Sequence, residues 1–233
     1  MTTDARITAW SYSRWKDYAQ CPRKAQYKHV LKLKEPSNKA MERGSSIHKE
    51  AELYLQGVEG SRNVFELKLF GPKADEDRPI YAKKLDALKK QGAVAEEKWT
   101  FTETWGTTGW FDRDAWCRMG IDAYALKNRN REMLIVDYKT GKVRDENRKQ
   151  LGIYALGAFT QRPELKRVVT EFWYVDANEQ VRETFDATEK EDILDAWMRR
   201  ITPMLNDTIF AARPGPLCKW CHFRKANGGP CEF

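Results

Sequence analysis

Acidic and basic side chains stand together where one apolar stretch ends, in the segment Glu132-Met-Leu-Ile-Val-Asp137-Tyr-Lys139. The apolar residues predict a buried strand, and residues two apart on a strand point to the same side. Asp137 and Lys139 should therefore emerge side by side, just before Thr140-Gly141-Lys142 breaks the strand. A carboxylate beside an ammonium on a rigid strand can serve a hard cation and a phosphate at once.

A second carboxylate, Asp122, lies on the preceding predicted strand. The polar turn 127–131 joins the two strands, and pairing across that turn brings Asp122 near Asp137 at one edge of the sheet. Two carboxylates that converge near a lysine can hold Mg²⁺ or Mn²⁺ through oxygen ligands. His48, one of three histidines in the chain, lies on a predicted helix and could be a further ligand.

The five cysteines suggest a second inorganic site. Cys218 and Cys221 form a CxxC pair, and Cys231 follows after nine residues. Structural disulfides are rare in the cytosol, and three close thiolates usually indicate a metal or cluster that needs a fourth ligand. Cys117 lies on a predicted strand and is interpreted as a small buried hydrophobic residue, which leaves Cys21.

Positive charge is concentrated at the two ends of the chain. Residues 1–34 carry a net charge of +6 and residues 212–233 carry +3, whereas the whole chain carries +7. If the two ends meet in the fold, they make a basic face suited to a polyanion such as nucleic acid.

Helical periodicity and capping signals predict six helices. Ser11 or Ser13 caps the first, and a capping box of Thr188 with Glu191 starts the last. The predicted helices run from Ser11 or Ser13 to Cys21, from there to about Leu33, over 44–56, from Pro79 to about Gly92, over 146–159, and from Thr188 to about Phe210.

Alternating and apolar patterns predict five strands, and the first has Ala95, Glu97, Trp99 and Phe101 on one face. The order of elements predicts an α/β fold in which a small mixed sheet is flanked by helices, as a single domain over 1–233. The predicted strands are 94–103, 117–126, 132–139, 167–176 and 180–185.

Neither a membrane span nor a signal peptide is predicted. No run of about 18 apolar residues occurs, and the N-terminal residues lack a positively charged segment followed by an apolar one. The protein is therefore expected to be soluble and cytoplasmic.

Four short motifs occur in a fixed order: Gly44-x3-His48, Gly120-Ile-Asp122, Val136-Asp137-Tyr-Lys139-Thr-Gly and Gln150-x3-Tyr154. Together they resemble the RecB-like branch of the PD-(D/E)XK nucleases, which includes the nuclease domains of RecB and AddB, exonuclease V and the CRISPR-associated exonucleases. The resemblance covers nearly the whole chain, from Ser11 to Cys231, and implies a restriction-endonuclease-like core.

The resemblance also implies roles for the residues in these motifs. His48, Asp122 and Asp137 would bind Mg²⁺ or Mn²⁺, and the backbone carbonyl of Tyr138 would add a ligand. Lys139 would be catalytic, together with Asp122 and Asp137.

Further residues are expected to contact DNA or support the metal. Gln150 and Tyr154 match a motif near the DNA in that branch, and Glu97 is a candidate accessory acidic residue. Candidate stacking platforms for unpaired bases are Trp15, Trp110 and Trp220.

The segment Tyr12-Ser13-x4-Tyr18-x2-Cys21-Pro22 resembles the N-terminal segment of iron–sulfur members of the branch. In those proteins one N-terminal cysteine joins three C-terminal cysteines around a 4Fe–4S cluster. The resemblance therefore implies Cys21, Cys218, Cys221 and Cys231 as cluster ligands. The gap before Cys231 is longer than in the family, and Zn²⁺ stays open as an alternative because four thiolates also suit zinc.

Such a cluster would join the head of the chain to its tail. Neither terminal segment is expected to dock by hydrophobic area alone. Residues 1–34 and 212–233 are thus expected to form one basic, DNA-facing part that the cluster holds together.

The function implied is a metal-dependent DNA exonuclease that hydrolyses phosphodiester bonds in single strands or at DNA ends. Three alternatives stay open. The chain is a non-catalytic iron–sulfur or zinc DNA-binding subunit in repair, recombination or CRISPR adaptation, a partner protein that trims DNA within a CRISPR-adaptation complex, or a restriction-type endonuclease.

Overall fold

A five-stranded mixed sheet forms the centre of the computed structural model, which describes residues 6–66, 80–145 and 148–233. Neighbouring strands pair antiparallel except for the third and fourth, which are parallel. This confirms the predicted mixed sheet flanked by helices. In spatial order the strands are β1 (Val94–Phe101), β2 (Cys117–Lys127), β3 (Glu132–Lys139), β4 (Arg167–Tyr174) and β5 (Glu179–Asp186).

Helices cover both faces of the sheet, and one of them makes the crossover that the parallel pair of strands requires. That crossover helix, α5, runs between β3 and β4. The helices are α1 (Tyr12–Gln20), α2 (Pro22–Ala25), α3 (Lys39–Leu55), α4 (Ile80–Lys90), α5 (Arg148–Gln161) and α6 (Lys190–Asn206), with one π-helical turn at Gln26–Val30.

Two hydrophobic cores lie on opposite faces of the sheet. The larger core packs α5, α6 and the N-terminal segment against residues such as Trp99 and Ile135. The smaller core packs α3 and α4 against residues such as Val136 and Trp173. Ile135 and Val136 are adjacent on β3 and belong to different cores, as the alternation of a buried strand demands.

The starts of two helices differ from those predicted. Helix α3 begins five residues earlier than expected because the side chain of Asn38 accepts a hydrogen bond from Met41 N at 3.0 Å and caps the helix there. The capping box before α6 is formed by Asp186 and Glu189 rather than by Thr188 and Glu191, and a short 3-10 turn precedes the helix.

Other boundaries shift for local reasons or lie outside the described residues. The segment after Pro22 continues as a π-helical turn only to Val30, and α6 ends at Asn206 rather than near Phe210. Pro79 and residues 146–147, which were expected at the starts of two helices, are outside the described residues.

The N-terminal segment docks into the larger core through its own hydrophobic side chains, so the expectation that it lacks the area to dock is wrong. Trp10 is only 1% exposed and stacks on Trp197 at 5.6 Å between ring centroids. Its backbone N–H donates to Trp116 O at 2.7 Å, and its carbonyl accepts from Arg118 N at 3.0 Å. The segment therefore extends the sheet locally as well as filling the core.

Within the described residues, no helix combines the length and the apolar character that crossing a bilayer requires.

Candidate active site

The two predicted carboxylates meet where β2 and β3 separate. The last residues paired between β2 and β3 are Ala123 and Val136. Asp122 and Asp137 are the next residues on the two strands, and they lie opposite one another. Asp122 Oδ2 accepts a hydrogen bond from Tyr138 N at 2.8 Å. A carboxylate thus satisfies a backbone donor that the diverging strands leave without a ladder partner.

The backbone of β1 is distorted beside Asp122. Glu96 has a φ of 52°, in the left-handed region that costs a non-glycine residue about 1–2 kcal/mol. Pairing of β1 with β2 skips Glu96 and Asp122, yet the register is the same on either side of the gap. Side chains before the distortion, such as Ala95, pack against the smaller core, and those after it, such as Trp99, belong to the larger core. The alternation of side chains between the two faces of β1 is therefore reversed at Glu96: odd-numbered residues face the smaller core before it and the larger core after it.

This reversal brings Glu96, and not Glu97, to the site. Glu97 Oε2 accepts a hydrogen bond from Trp99 Nε1 at 2.6 Å. Glu96 Oε1 lies 3.8 Å from His48 Nδ1, which itself lies 3.3 Å from Asp122 Oδ2. The prediction of Glu97 as the accessory acidic residue, and of one face shared by Ala95 and Trp99, is corrected accordingly.

His48, Glu96 and Asp122 form a group whose ligand atoms all lie within 4.8 Å of one another. Two carboxylates with an imidazole are a donor set that fits a divalent cation. His48 Nε2 lies 3.0 Å from the Tyr138 carbonyl, and because a carbonyl only accepts, this nitrogen carries a hydrogen. Nδ1 therefore faces the two carboxylates, in the arrangement of a metal-binding histidine oriented by a backbone carbonyl.

The electrostatics of the group favour positive charge at its centre. Burial lowers the pKa of His48, but its hydrogen bonds with Asp122 and Glu96 outweigh burial and raise the pKa to about 10. Burial and the neighbouring charge of Asp137 raise the pKa of Asp122 to about 6, against the opposing effect of His48. A cation bound between these groups would relieve the repulsion between the carboxylates.

Asp137 and Lys139 lie beside one another, as expected for residues two apart at the end of a strand. Lys139 Nζ is 2.6 Å from Asp137 Oδ2 and 4.7 Å from the centre of the Phe172 ring. It also donates a hydrogen bond to Gln150 Oε1 at 3.0 Å. The ammonium is thus held in one position by a carboxylate, an amide and an aromatic face.

Helix α5 supplies a layer behind this pair. The Tyr154 hydroxyl donates to Asp137 Oδ1 at 2.5 Å, and Gln150 Nε2 lies 3.4 Å from the same oxygen. Asp137 is only 4% exposed, and Tyr154 is buried with it. Burial and the charge of Asp137 raise the pKa of Tyr154 well above 10, so the hydroxyl remains a donor. Contact of Gln150 and Tyr154 with DNA stays a prediction.

The site opens to the surface beside α3. A cavity of about 340 Å³ lies next to His48 and Glu96, and its remaining lining residues are Gly44, Ser45, Lys49 and Glu52. The Gly44-x3-His48 motif therefore forms one wall of the entrance, because residues four apart lie on the same side of a helix.

Four of the five cysteines line one cavity of about 210 Å³ near the chain ends: Cys21, Cys218, Cys221 and Cys231. Backbone N–H groups point at two of the sulfurs, from Arg213 to Cys21 Sγ at 3.4 Å and from Gly215 to Cys218 Sγ at 3.3 Å. Cys117 is fully buried elsewhere, which confirms its interpretation as a core residue.

The two ends of the chain meet around this cavity. Arg23 Nε donates to Phe210 O at 2.9 Å, and the rings of Tyr27 and Phe223 are 5.4 Å apart. Arg213 Nη1 donates to Ala19 O at 2.5 Å. The basic residues of both ends are thereby brought to one part of the molecule.

The four thiols around this cavity are ligands of the kind that inorganic centres use. Among the described residues, no three cysteine sulfurs lie within 4.8 Å of one another. Four thiols that line one cavity suit a 4Fe–4S cluster and zinc alike.

The three tryptophans considered for base stacking differ in their surroundings. Trp15 packs edge-on against Trp197 at 5.1 Å, and Trp110 is half-buried. Trp220 is 71% exposed, beside the cysteine cavity.

Comparisons with known proteins agree with this geometry. No curated protein matches the chain. Of 23 matching chains of solved structure, one titled "Crystal structure of SSO0001" is 14% identical over 93% of this chain and 84% of its own, with a TM-score of 0.37. That similarity is too low to support an argument about the site.

A family model described as the PD-(D/E)XK nuclease superfamily matches residues 9–226, which include every residue of the acidic site. Nucleases of this kind cleave DNA with divalent metal ions, in agreement with the group formed by His48, Glu96 and Asp122. The chain therefore belongs to the PD-(D/E)XK nuclease superfamily.

Proposed function

We propose that this protein is a DNA exonuclease of the RecB-like branch, which hydrolyses phosphodiester bonds in single strands or at DNA ends. The observation that carries the proposal is the meeting of Lys139 and Asp137 with the group of His48, Glu96 and Asp122 at the separated ends of β2 and β3. An ammonium beside a cation-binding group suits a reaction at a phosphate.

Mg²⁺ or Mn²⁺ would be held by His48, Asp122 and Asp137, with Glu96 as an added carboxylate. The ion would lower the pKa of a bound water and neutralise charge on the scissile phosphate. The Tyr138 carbonyl is the predicted backbone ligand, and its hydrogen bond with His48 also gives it a role in orienting the imidazole.

Lys139 acts on the phosphate from a fixed position. Its ammonium, held by Asp137 and Gln150, can stabilise the negative charge that develops on the phosphate oxygens. Tyr154 fixes the Asp137 carboxylate through its buried hydrogen bond and so positions both partners. Because these contacts exist before substrate binds, little rearrangement is needed on DNA binding.

The four cysteines would hold a 4Fe–4S cluster, with Zn²⁺ as the rival. The cluster would join residues 1–34 to residues 212–233 and complete a basic, DNA-facing part of a single domain over 1–233. Support comes from the cavity that the four cysteines share. A broad absorption band near about 400 nm in anaerobically purified protein supports the cluster, whereas bound zinc without that band overturns it.

The nuclease assay compares linear single strands, labelled at either end, with circular single strands of the same sequence. With Mg²⁺ or Mn²⁺ the wild-type protein and Glu97→Gln should degrade the linear strand, and Asp137→Asn should not. Glu97 is the matched control because its carboxylate accepts a hydrogen bond from Trp99 Nε1 and does not face the metal-binding group. Cleavage of the circle at a comparable rate contradicts exonuclease action, and DNA binding without any cleavage contradicts the enzyme.

A further inference from the structure

The loop between β1 and β2, residues 102–116, presents an exposed aromatic ring. Phe111 lies in this loop and is 89% exposed. A phenylalanine that its own fold leaves uncovered exposes a large apolar surface to solvent. The residues around such a ring indicate which kind of ligand it binds.

The loop is shaped by its own hydrogen bonds. Asp112 Oδ2 accepts from Gly109 N at 2.7 Å and from the Thr108 hydroxyl at 2.9 Å, which closes a turn around Phe111. A Cβ at Gly109 would lie 2.7 Å from that carboxylate, so a larger residue there would displace the Asp112 side chain from its hydrogen bonds. The base of the loop is tied to the sheet, since Thr108 N donates to Thr100 O at 3.0 Å. Phe111 is thus presented by a defined turn.

Two cations lie against Trp110, the residue that precedes Phe111 in the loop. Lys98 Nζ and Arg118 Cζ are 5.5 Å and 5.9 Å from the centre of the Trp110 ring. Arg118 Nε also donates to Trp110 O at 2.9 Å. Trp110 therefore fixes the loop over these two side chains, one from each strand.

An open strip of sheet joins this loop to the metal-binding group. Trp99 and Met119 point into the larger core, so Lys98 and its partner Gly120 face the other side, where α3 carries His48. Gly120 is exposed, and a Cβ added there would meet nothing within 4 Å. At about 3.3 Å per residue, Gly120 is about 7 Å from Asp122 along β2.

We propose that Phe111, Lys98, Arg118 and Gly120 form a subsite for an unpaired DNA strand that leads to the acidic site. Phe111 stacks on a base, the two cations contact phosphates, and the strand passes over Gly120, where no side chain obstructs it. The subsite rests on the proposed nuclease function for its ligand, since the strip runs directly into the metal-binding group.

Charge and shape favour an unpaired strand over a duplex. A base must be unstacked before its face can lie on Phe111, and only a single strand or a frayed end offers this without cost. The carboxylates of Asp112 and Asp114 hydrogen-bond with the Thr108 hydroxyl inside the loop. Lys98 and Arg118, in contrast, lie on the strip that the DNA strand would follow. With only two cations in the subsite, its affinity should depend more on stacking than on salt.

The test measures binding of short single-stranded oligonucleotides that carry 2-aminopurine at one position at a time, in chelator so that no cleavage occurs. Phe111→Ala should weaken binding about tenfold and abolish the fluorescence quench at one position. Phe111→Trp should restore both, whereas Phe111→Leu should restore neither. Ile209→Ala is the control, because Ile209 is 76% exposed and follows α6.

A second variant tests the path of the strand. Gly120→Val should fold with an unchanged melting temperature, because the position is open, and should weaken single-strand binding by blocking the strip. Unchanged binding in both Phe111→Ala and Gly120→Val overturns the subsite, as does an equal loss in Ile209→Ala.

These results separate the subsite from the nuclease function. Phe111-dependent quenching in a protein that never cleaves with added metal supports the subsite and refutes the nuclease. Metal-dependent cleavage with quenching that does not depend on Phe111 refutes the subsite alone.

Discussion

The acidic site and the cysteine cavity rest on different kinds of backbone. Asp122 and Asp137 lie on adjacent strands of the sheet, and Asp137 is fixed by a buried tyrosine on α5. Three of the four cavity cysteines lie in residues 211–233, where the longest regular element is the five-residue 3-10 turn Pro216–Trp220.

This difference separates a site formed by packing from one whose backbone the proposed cluster would have to organise. The acidic site gains its geometry from the cores on both sides of the sheet, so it is organised before any ion binds. The tail that carries Cys218, Cys221 and Cys231 is held by Phe223 against Tyr27, by the hydrogen bond from Arg213 Nη1 to Ala19 O and by short turns. Cys21 differs from these three cysteines, because it lies in the N-terminal segment that is anchored in the larger core through Trp10.

The largest expected effect concerns Lys139. Lys139→Gln removes the charge that we propose stabilises the phosphate while leaving the metal ligands in place, so kcat should fall about a thousandfold and metal affinity should be kept. Steady-state cleavage of linear single strands and Mn²⁺ titration measure the two quantities. Lys142→Gln, an exposed position three residues on, is the matched control. Loss of metal affinity equal to the loss of kcat would contradict this division of roles.

The next effect tests whether the tail depends on the proposed cluster. Cys218→Ser should remove a ligand, and backbone amides of residues 212–233 should then exchange hydrogen more than about tenfold faster. Amides of β3 and β4 should keep their protection, because the N-terminal segment and the sheet are held by the larger core. Cys117→Ala, away from the cavity, should leave exchange in the tail unchanged. Faster exchange throughout the sheet would show that the two regions are not independent.

The smallest effect concerns an ion-pair cluster around Asp17 in the N-terminal segment that is anchored in the larger core. Asp17 lies 3.0 Å from Lys24 Nζ, 3.1 Å from Lys28 Nζ and 2.9 Å from His29 Nε2. Burial alone would raise its pKa, but these three partners together hold the pKa below the ordinary value of 3.8. The stabilisation is therefore present above about pH 4 and is lost as the pH falls through the depressed folded-state pKa.

Asp17→Asn should lower the free energy of unfolding by about 1–2 kcal/mol at pH 7, discounted for partial exposure of the lysines. Between about pH 4 and pH 2 the wild-type protein should lose this advantage and approach the variant. Urea unfolding across that range measures both. A difference that stays constant with pH would mean that Asp17 acts through packing rather than charge.

Much of the acidic site was predictable because it follows from strand pairing. The bounds of β3 are those predicted, and the turn over 127–131 places Asp122 opposite Asp137. Helical spacing placed His48 on the helix that reaches the sheet, although the capping role of Asn38 was overlooked. These features depend on local periodicity, which sequence carries directly.

Glu96 was missed because its position depends on a backbone reversal that no pattern of side chains announces. Regular alternation assigned Glu97 to the face of Trp99, which is correct, but it also assigned Ala95 to that face. The left-handed conformation at Glu96 is stabilised by the surrounding structure rather than by its own propensity. The capping boxes before α6 show a different limit, since Asp186 with Glu189 and Thr188 with Glu191 both have the required spacing, and only tertiary packing decides between them.

Mn²⁺ binding to Glu96→Gln and Glu97→Gln, measured by calorimetry, tests most directly the claim that the reversed strand completes a metal site. Adjacent residues with the same side chain differ here only in the face they occupy. The Kd for Mn²⁺ should rise about 10- to 100-fold in Glu96→Gln and stay at the wild-type value in Glu97→Gln. Equal effects in the two variants, or a wild-type protein that binds no Mn²⁺, would contradict the claim.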